Sequence, residues 1–202
     1  MPTRLRFQGE IAGVGTTSGV RVVVGRWAAS PYGAFADVMV EDAHGQRTLL
    51  APTQEVGEFV SDTYGFDDVR VLPVDVSGTE RWRVLSGPLD LTLVAGSQTL
   101  LGRALGLVPR RVSGSTSFAQ AVDPMARVLL RGVRTAGTAG NGRREWYSAH
   151  DVRAVEQAWG TYEGSPLGEL APVDPPVTFG FGSTPRRPCV TAVTTTVELS
   201  AR

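Results

Sequence analysis

Glycine and proline interrupt this chain so often that long regular elements have little room. Its 202 residues include 24 glycines and 13 prolines, and their spacing predicts many short strands joined by turns. Val20–Trp27 is a β-branched run. Ala34–Glu41 alternates, and the turn Asp42-Ala43-His44-Gly45 leads it into Gln46–Leu50, a hairpin. A second hairpin is expected from Val69–Val76 to Arg81–Leu85 across Ser77-Gly78. A third runs from Arg127–Thr135 to Arg143–His150 across the glycine-rich tip Gly137–Gly142. Cys189–Leu199, dense in valine and threonine, reads as a long strand.

Helical spacing is rarer. Pro52–Thr63 places Val56, Phe59 and Val60 on one face, and Thr99–Leu107 is apolar nearly all round, as a buried or pocket-lining helix would be. Asp151–Trp159 sets Val152, Val155 and Trp159 on one side behind a capping Asp151, although the same residues could continue the preceding strand. The proline-rich Pro166–Pro176 stretch reads as an ordered loop, because strand-like sequence follows it. The expectation is one domain over residues 1–202, mainly β or α+β: a barrel- or cone-like antiparallel sheet with a few packed helices.

Twenty basic residues balance twenty acidic ones, so no strong field draws the chain to nucleic acid or an anionic membrane. Every basic residue is arginine, which excludes chemistry through a lysine Schiff base. The single cysteine, Cys189, cannot form an intramolecular disulfide, which fits a reducing compartment. No apolar leader and no run approaching the roughly 20 residues of a membrane span is visible. A cytoplasmic location is expected.

The most unusual stretch is Gly180-Phe181-Gly182-Ser183-Thr184-Pro185-Arg186-Arg187. Small residues free backbone N–H groups, and two hydroxyls and two guanidiniums stand beside them, a combination that can hold a carboxylate or phosphate. The alternative is a turn with two solvated arginines. It is not a nucleotide fingerprint, and no cofactor is expected. Arg26 and Arg111 are further candidates for orienting an anion. Trp146-Tyr147-Ser148-Ala149-His150-Asp151 gathers a nucleophile, a base and an acid. On a strand, however, Ser148 and His150 stand about 7 Å apart, too far for a catalytic pair. His150 is kept as a pocket candidate. Cys189 could have a lowered pKa beside Arg186 and Arg187, or be a small apolar residue entering a strand. Glu10, Glu41, Asp75 and Glu145 lie in strand-like segments, where one inward-facing acid would have a raised pKa. The scattered His44, His150 and Cys189 predict no metal site.

The strand order, the apolar Leu100–Leu107 segment, the late Glu145–His150 strand (EWYSAH) and a closing strand after Pro185 resemble the acetoacetate decarboxylase-like β-cone superfamily, over Arg21–Leu199. That likeness implies a cone around an internal pocket for a small organic acid, often in a homo-oligomer. The departure is the missing lysine: the decarboxylases work through a lysine imine, so decarboxylation by that route is absent. Two functions follow. One is a pocket protein that binds or transforms a carboxylated or otherwise anionic metabolite, with Arg186, Arg187, His150, Arg26 and Arg111 as its candidate contacts. The other is a non-catalytic structural or protein-interaction module. The presence of a cavity holding arginine and histidine discriminates them.

Overall fold

The computed structural model describes residues 3–108, 135–138, 142–180 and 184–199. Thirteen strands form one sheet, and two helices pack on it: β1 (Arg4–Thr16), β2 (Arg21–Ala29), β3 (Phe35–Glu41), β4 (Arg47–Ala51), α1 (Gln54–Thr63), β5 (Asp68–Val71), β6 (Asp75–Ser77), β7 (Arg81–Ser86), β8 (Leu89–Gln98), α2 (Leu100–Gly106), β9 (Ala136–Thr138), β10 (Arg144–Tyr162), β11 (Ser165–Pro166), β12 (Leu170–Ala171) and β13 (Cys189–Glu198). Along the sheet the order is β5-β4-β3-β2-β1-β13-β10-β8-β7-β6, with β9 and β11 on β10 and β12 on β1. All pairs are antiparallel except β4 with β5. The mainly β, curled antiparallel sheet with few helices is the architecture the turn spacing predicts.

The curl follows from which residues meet. Ala12, Val14, Val22, Val24, Val38, Val40 and Leu50 come from one half of the sheet, and Trp82, Val84, Leu89, Leu91 and Leu93 from the other, yet they form one buried cluster. Strands far apart in the order share a core only if the sheet bends over itself. The link Leu72-Pro73-Val74 joins β5 at one edge to β6 at the other, and Leu72 and Val74 pack on the same cluster. Each fully buried valine or leucine there contributes about 1.5–3 kcal/mol. This interior is filled with side chains.

The opposite face of β1, β2, β3, β13 and β10 is covered differently. Helix α1, capped by the Thr53 hydroxyl accepting from the Val56 N–H at 3.2 Å, lays Val56 and Val60 on Leu49 and Ala51. The segment 173–180 crosses β2 as a strap: Val173, Val177 and Phe179 pack with Val23. It is pinned by a buried ion pair. Arg21 meets Glu41 at 3.2 Å and donates to the Asp42 and Pro175 carbonyls, while Glu41 accepts from the Thr178 N–H at 2.6 Å. The proline-rich stretch is thus ordered by a charge that two hairpin strands supply.

One local expectation is corrected, and two that left alternatives open are decided. Asp151–Trp159 is not a helix but the continuation of β10. The register of β10 shifts between Ala149 and Asp151, Arg153 and Val155, and Val155 and Gln157. Those irregularities break the two-residue period of a strand and leave Val152, Val155 and Trp159 at a spacing that mimics a helix. The second hairpin is shorter than expected: Asp75–Ser77 pairs with β7, while Asp68–Val71 goes to the other edge beside β4. Of the two readings of Thr99–Leu107, buried or pocket-lining, the second holds: Thr99, Leu100 and Leu101 line a cavity and the helix itself is not buried. Leu100 and Leu107 are 82% and 86% exposed, and contact with β10 runs through Gly102, where a Cβ would lie 2.6 Å from Asp151 Oδ1. In the third hairpin Arg127–Arg134 lies outside the described residues, and Ala136–Thr138 is the strand that pairs with Arg144–Trp146. Among the described residues no helix is long and apolar enough to cross a membrane.

Candidate functional site

Two adjoining cavities lie on the face opposite the filled interior. The larger, of about 470 Å³, is walled mainly by aliphatic side chains, among them Ile11, Leu101, Val152, Ala154 and Val193, with Arg187 at its rim. The smaller, of about 60 Å³, is walled by Phe7, Trp27, Phe35, Phe59 and Phe179 and holds Asp37, Tyr64, Glu145 and Thr195. Ile11, Tyr147 and Thr184 border both. Alternation places these groups. On β10, Glu145 and Tyr147 share a face with their β13 partners Val197 and Thr195. On β3, Phe35, Asp37 and Met39 do the same.

The polar core of the smaller cavity is a chain of three side chains. Tyr64 donates its hydroxyl proton to Glu145 Oε1 at 2.6 Å, and the Tyr147 hydroxyl lies 2.6 Å from the Tyr64 oxygen. Because Tyr64 has one proton to give, Tyr147 is the donor in the second bond. Tyr64 is held in place as the residue that ends α1. The end of that helix is tied to the start of β10 by Arg143, which donates to the Phe59 carbonyl at 2.9 Å and to Thr63 Oγ1 at 2.7 Å and meets Asp62 at 3.1 Å. Tying Phe59 and Thr63 of the helix to the residue before β10 in this way holds Tyr64 over Glu145.

Burial dominates the electrostatics. Glu145 is 1% exposed. Desolvation pushes its carboxyl up to about 7, with the Tyr64 and Tyr147 hydroxyls pulling it partly back. Tyr64 is driven well above the ordinary tyrosine value by burial and by the adjacent Glu145. Asp37 is raised to about 6 by burial, partly offset by the Trp27 indole N–H it accepts at 2.8 Å. Gly25 leaves room for that bond: a Cβ there would stand 2.5 Å from Asp37 Oδ1 and 2.7 Å from Trp27 Nε1. Two buried polar atoms of this cavity, Glu145 Oε2 and Thr195 Oγ1, have no hydrogen-bond partner among the described residues.

The candidates read from sequence scatter. Arg187 lines the larger cavity, exposed at its rim, and forms no hydrogen bond or ion pair with a described residue. Arg186 is exposed and held by Asp174 at 2.6 Å. Arg26 lies on the other face of β2, its guanidinium 4.1 Å from the Trp82 ring centre and paired with Glu10. His150 is engaged by Thr194 Oγ1 at 2.8 Å, outside both cavities. Arg111 and Phe181–Ser183 lie outside the described residues. Cys189 borders the larger cavity, but burial raises its thiol rather than lowering it, and Arg186 is committed to Asp174.

Of the four strand carboxylates, Glu145 is the one that faces a cavity. Glu41 is buried in its ion pair, Glu10 pairs with Arg26, and Asp75 is exposed. Sequence reasoning does not reach Asp37, Trp27 or Tyr64. The alternation Phe35, Asp37, Met39 carries a signal for the first, since it sets an acid between two apolar side chains. Among the described residues no group of three or more His, Cys, Asp or Glu is placed to hold a metal ion. Compared with family models, curated proteins and solved structures, the chain has no match.

Proposed function

We propose that this chain binds a small monocarboxylate with an aliphatic body, the body lying in the larger cavity and the carboxylate on Arg187. One observation carries the reading: a cavity of about 470 Å³ has at its rim a guanidinium that no described residue engages. The volume lies in the range of small-molecule sites. Ile11, Val152, Ala154 and Val193 favour hydrocarbon, at about 0.8 kcal/mol for each methylene taken out of water. A planar guanidinium takes a carboxylate through two parallel N–H donors. A pocket for a small organic acid is also what the resemblance to the acetoacetate decarboxylase-like superfamily implies, but the support comes from the cavity and not from the likeness. With no lysine in the chain, imine chemistry has no part in it.

The test is thermal stabilisation by straight-chain carboxylates, with alkanols and alkylamines of equal length as controls. A carboxylate at 100 times its dissociation constant adds about 2.7 kcal/mol, a rise of about 5 °C or more in a chain of this size. The expected result is a rise for carboxylates alone, lost in Arg187→Gln. Equal response to the alkylamines, or an unchanged response in the variant, contradicts the reading.

A further inference from the structure

The smaller cavity contains two orphaned polar atoms that the binding of a simple carboxylate leaves unexplained. Glu145 Oε2 and Thr195 Oγ1 are both buried and both without a partner among the described residues. Leaving such groups unsatisfied is costly, and native structures rarely keep two together without something to bridge them. They are neighbours by register. Tyr147 on β10 faces Thr195 on β13, and Glu145 is two residues along from Tyr147. Glu145 and Thr195 are therefore a diagonal pair, with Cα atoms about 7–8 Å apart. The carboxyl arm spans much of that separation, so a single oxygen atom between them can reach both. The space is about 60 Å³, less than half of a cavity of about 150 Å³ that takes a benzene ring. It suits a hydroxyl on a chain end, not a ring.

We infer that the smaller cavity is a subsite for a hydroxyl group on the ligand's far end, so that the chain recognises an ω-hydroxylated aliphatic carboxylate. This rests on the reading of the larger cavity given above. The two cavities share Ile11, Tyr147 and Thr184, so one extended molecule can leave its carboxylate at Arg187 and pass Tyr147 to reach Glu145. A hydroxyl fits where other oxygens do not. Facing an ionised Glu145 it donates to Oε2 and accepts from Thr195. Facing a protonated Glu145 it accepts from the carboxyl and donates to Thr195. A carbonyl satisfies only the second state, and a second carboxylate would meet a carboxyl in an apolar pocket.

The experiment compares dissociation constants, by titration calorimetry, for alkanoates from hexanoate to dodecanoate and their ω-hydroxy counterparts. Wild type, Thr195→Val, Glu145→Gln and Arg187→Gln are run side by side; the first two changes preserve shape. At one chain length the hydroxyl should tighten binding to the wild type by about tenfold, the size of one well-made buried hydrogen bond. That gain, read within each variant as the ratio of the plain to the hydroxylated acid, should vanish in Thr195→Val. If plain and hydroxylated acids bind the wild type equally, or the hydroxyl weakens binding at every length, the subsite holds only water and this inference falls while the carboxylate reading stands. If neither series binds, the carboxylate reading fails and the inference fails with it.

Discussion

Along β2 and β3, successive residues look into two environments that share a backbone and little else. Val22, Val24, Val38 and Val40 face the curled interior and are completely enclosed. Val23, Gly25, Trp27, Asp37 and Met39 face the other way and border the smaller cavity. The first set needs only shape, so β-branched side chains fill it. The second carries an acid with a raised pKa, a glycine whose absent side chain makes room for a hydrogen bond, and open volume. On β10 and β13 it adds a second raised acid and two unpartnered oxygens. The two raised acids are gathered on one face, whereas the filled interior holds a single buried hydroxyl, Ser86 Oγ beside Trp82 and Val84 on β7, without a hydrogen-bond partner among the described residues.

The sharpest way to break that contrast is to truncate one side chain on each face. Trp82→Ala removes a fully enclosed ring from the filled interior and should cost about 3–5 kcal/mol in denaturant unfolding. Ile11→Ala removes a half-buried side chain that already borders both cavities, and should cost about 2 kcal/mol, the low end for such a change. Equal losses would mean that the two faces are packed alike.

The pH dependence of stability sharpens the contrast next. The Glu145 carboxyl titrates at about 7 when folded against 4.5 ordinarily. Below about 4.5 both folded and unfolded chains hold its proton. As pH rises to about 7 the unfolded chain ionises and the folded one does not, so stability is lost across that window and levels off above it. The loss from this group is about 3 kcal/mol. Glu145→Gln should flatten the fall in melting temperature over that window, leaving the smaller decline that Asp37 produces as it titrates toward about 6. An unchanged pH profile would mean that Glu145 is solvated.

Gly25→Ala should cost about 1–3 kcal/mol, since the new methyl meets Asp37 and Trp27 in a packed wall. It should also change tryptophan fluorescence as the indole loses its acceptor. The smallest effect is expected from Arg187→Gln, within about 0.5 kcal/mol of wild type, because the exposed guanidinium engages no described residue. A large loss there would assign Arg187 to holding the fold together.

How much of this could be read in the sequence follows from the same alternation. The hairpin Phe35–Glu41 to Arg47–Ala51, the cap and apolar face of α1, and the long strand at Cys189–Glu198 are legible because each obeys a local period or a turn signal. Asp151–Trp159 misleads because its register shifts erase the period. Glu145 is visible as a strand carboxylate, and that it alone of the four candidates faces a cavity depends on Tyr64 at the end of α1 and on Phe179 of the strap, which line that cavity with it. Tyr64 has no local signal at all: it reaches Glu145 across 81 positions of sequence, through a helix end that Arg143, just before β10, fastens. Of the arginines, Arg186 and Arg187 are neighbours with the same chemistry, and only the fold shows that Asp174 occupies the first.

The measurement that bears most directly on the two-faced sheet is a crystal structure with an ω-brominated alkanoate, read by the anomalous signal of bromine. A bromine peak is expected beside Tyr147, where the two cavities meet, with the carboxylate on Arg187 and no peak within the cluster around Trp82. A peak among Trp82, Leu91 and Val24, or a ligand whose carboxylate lies away from Arg187, would contradict it.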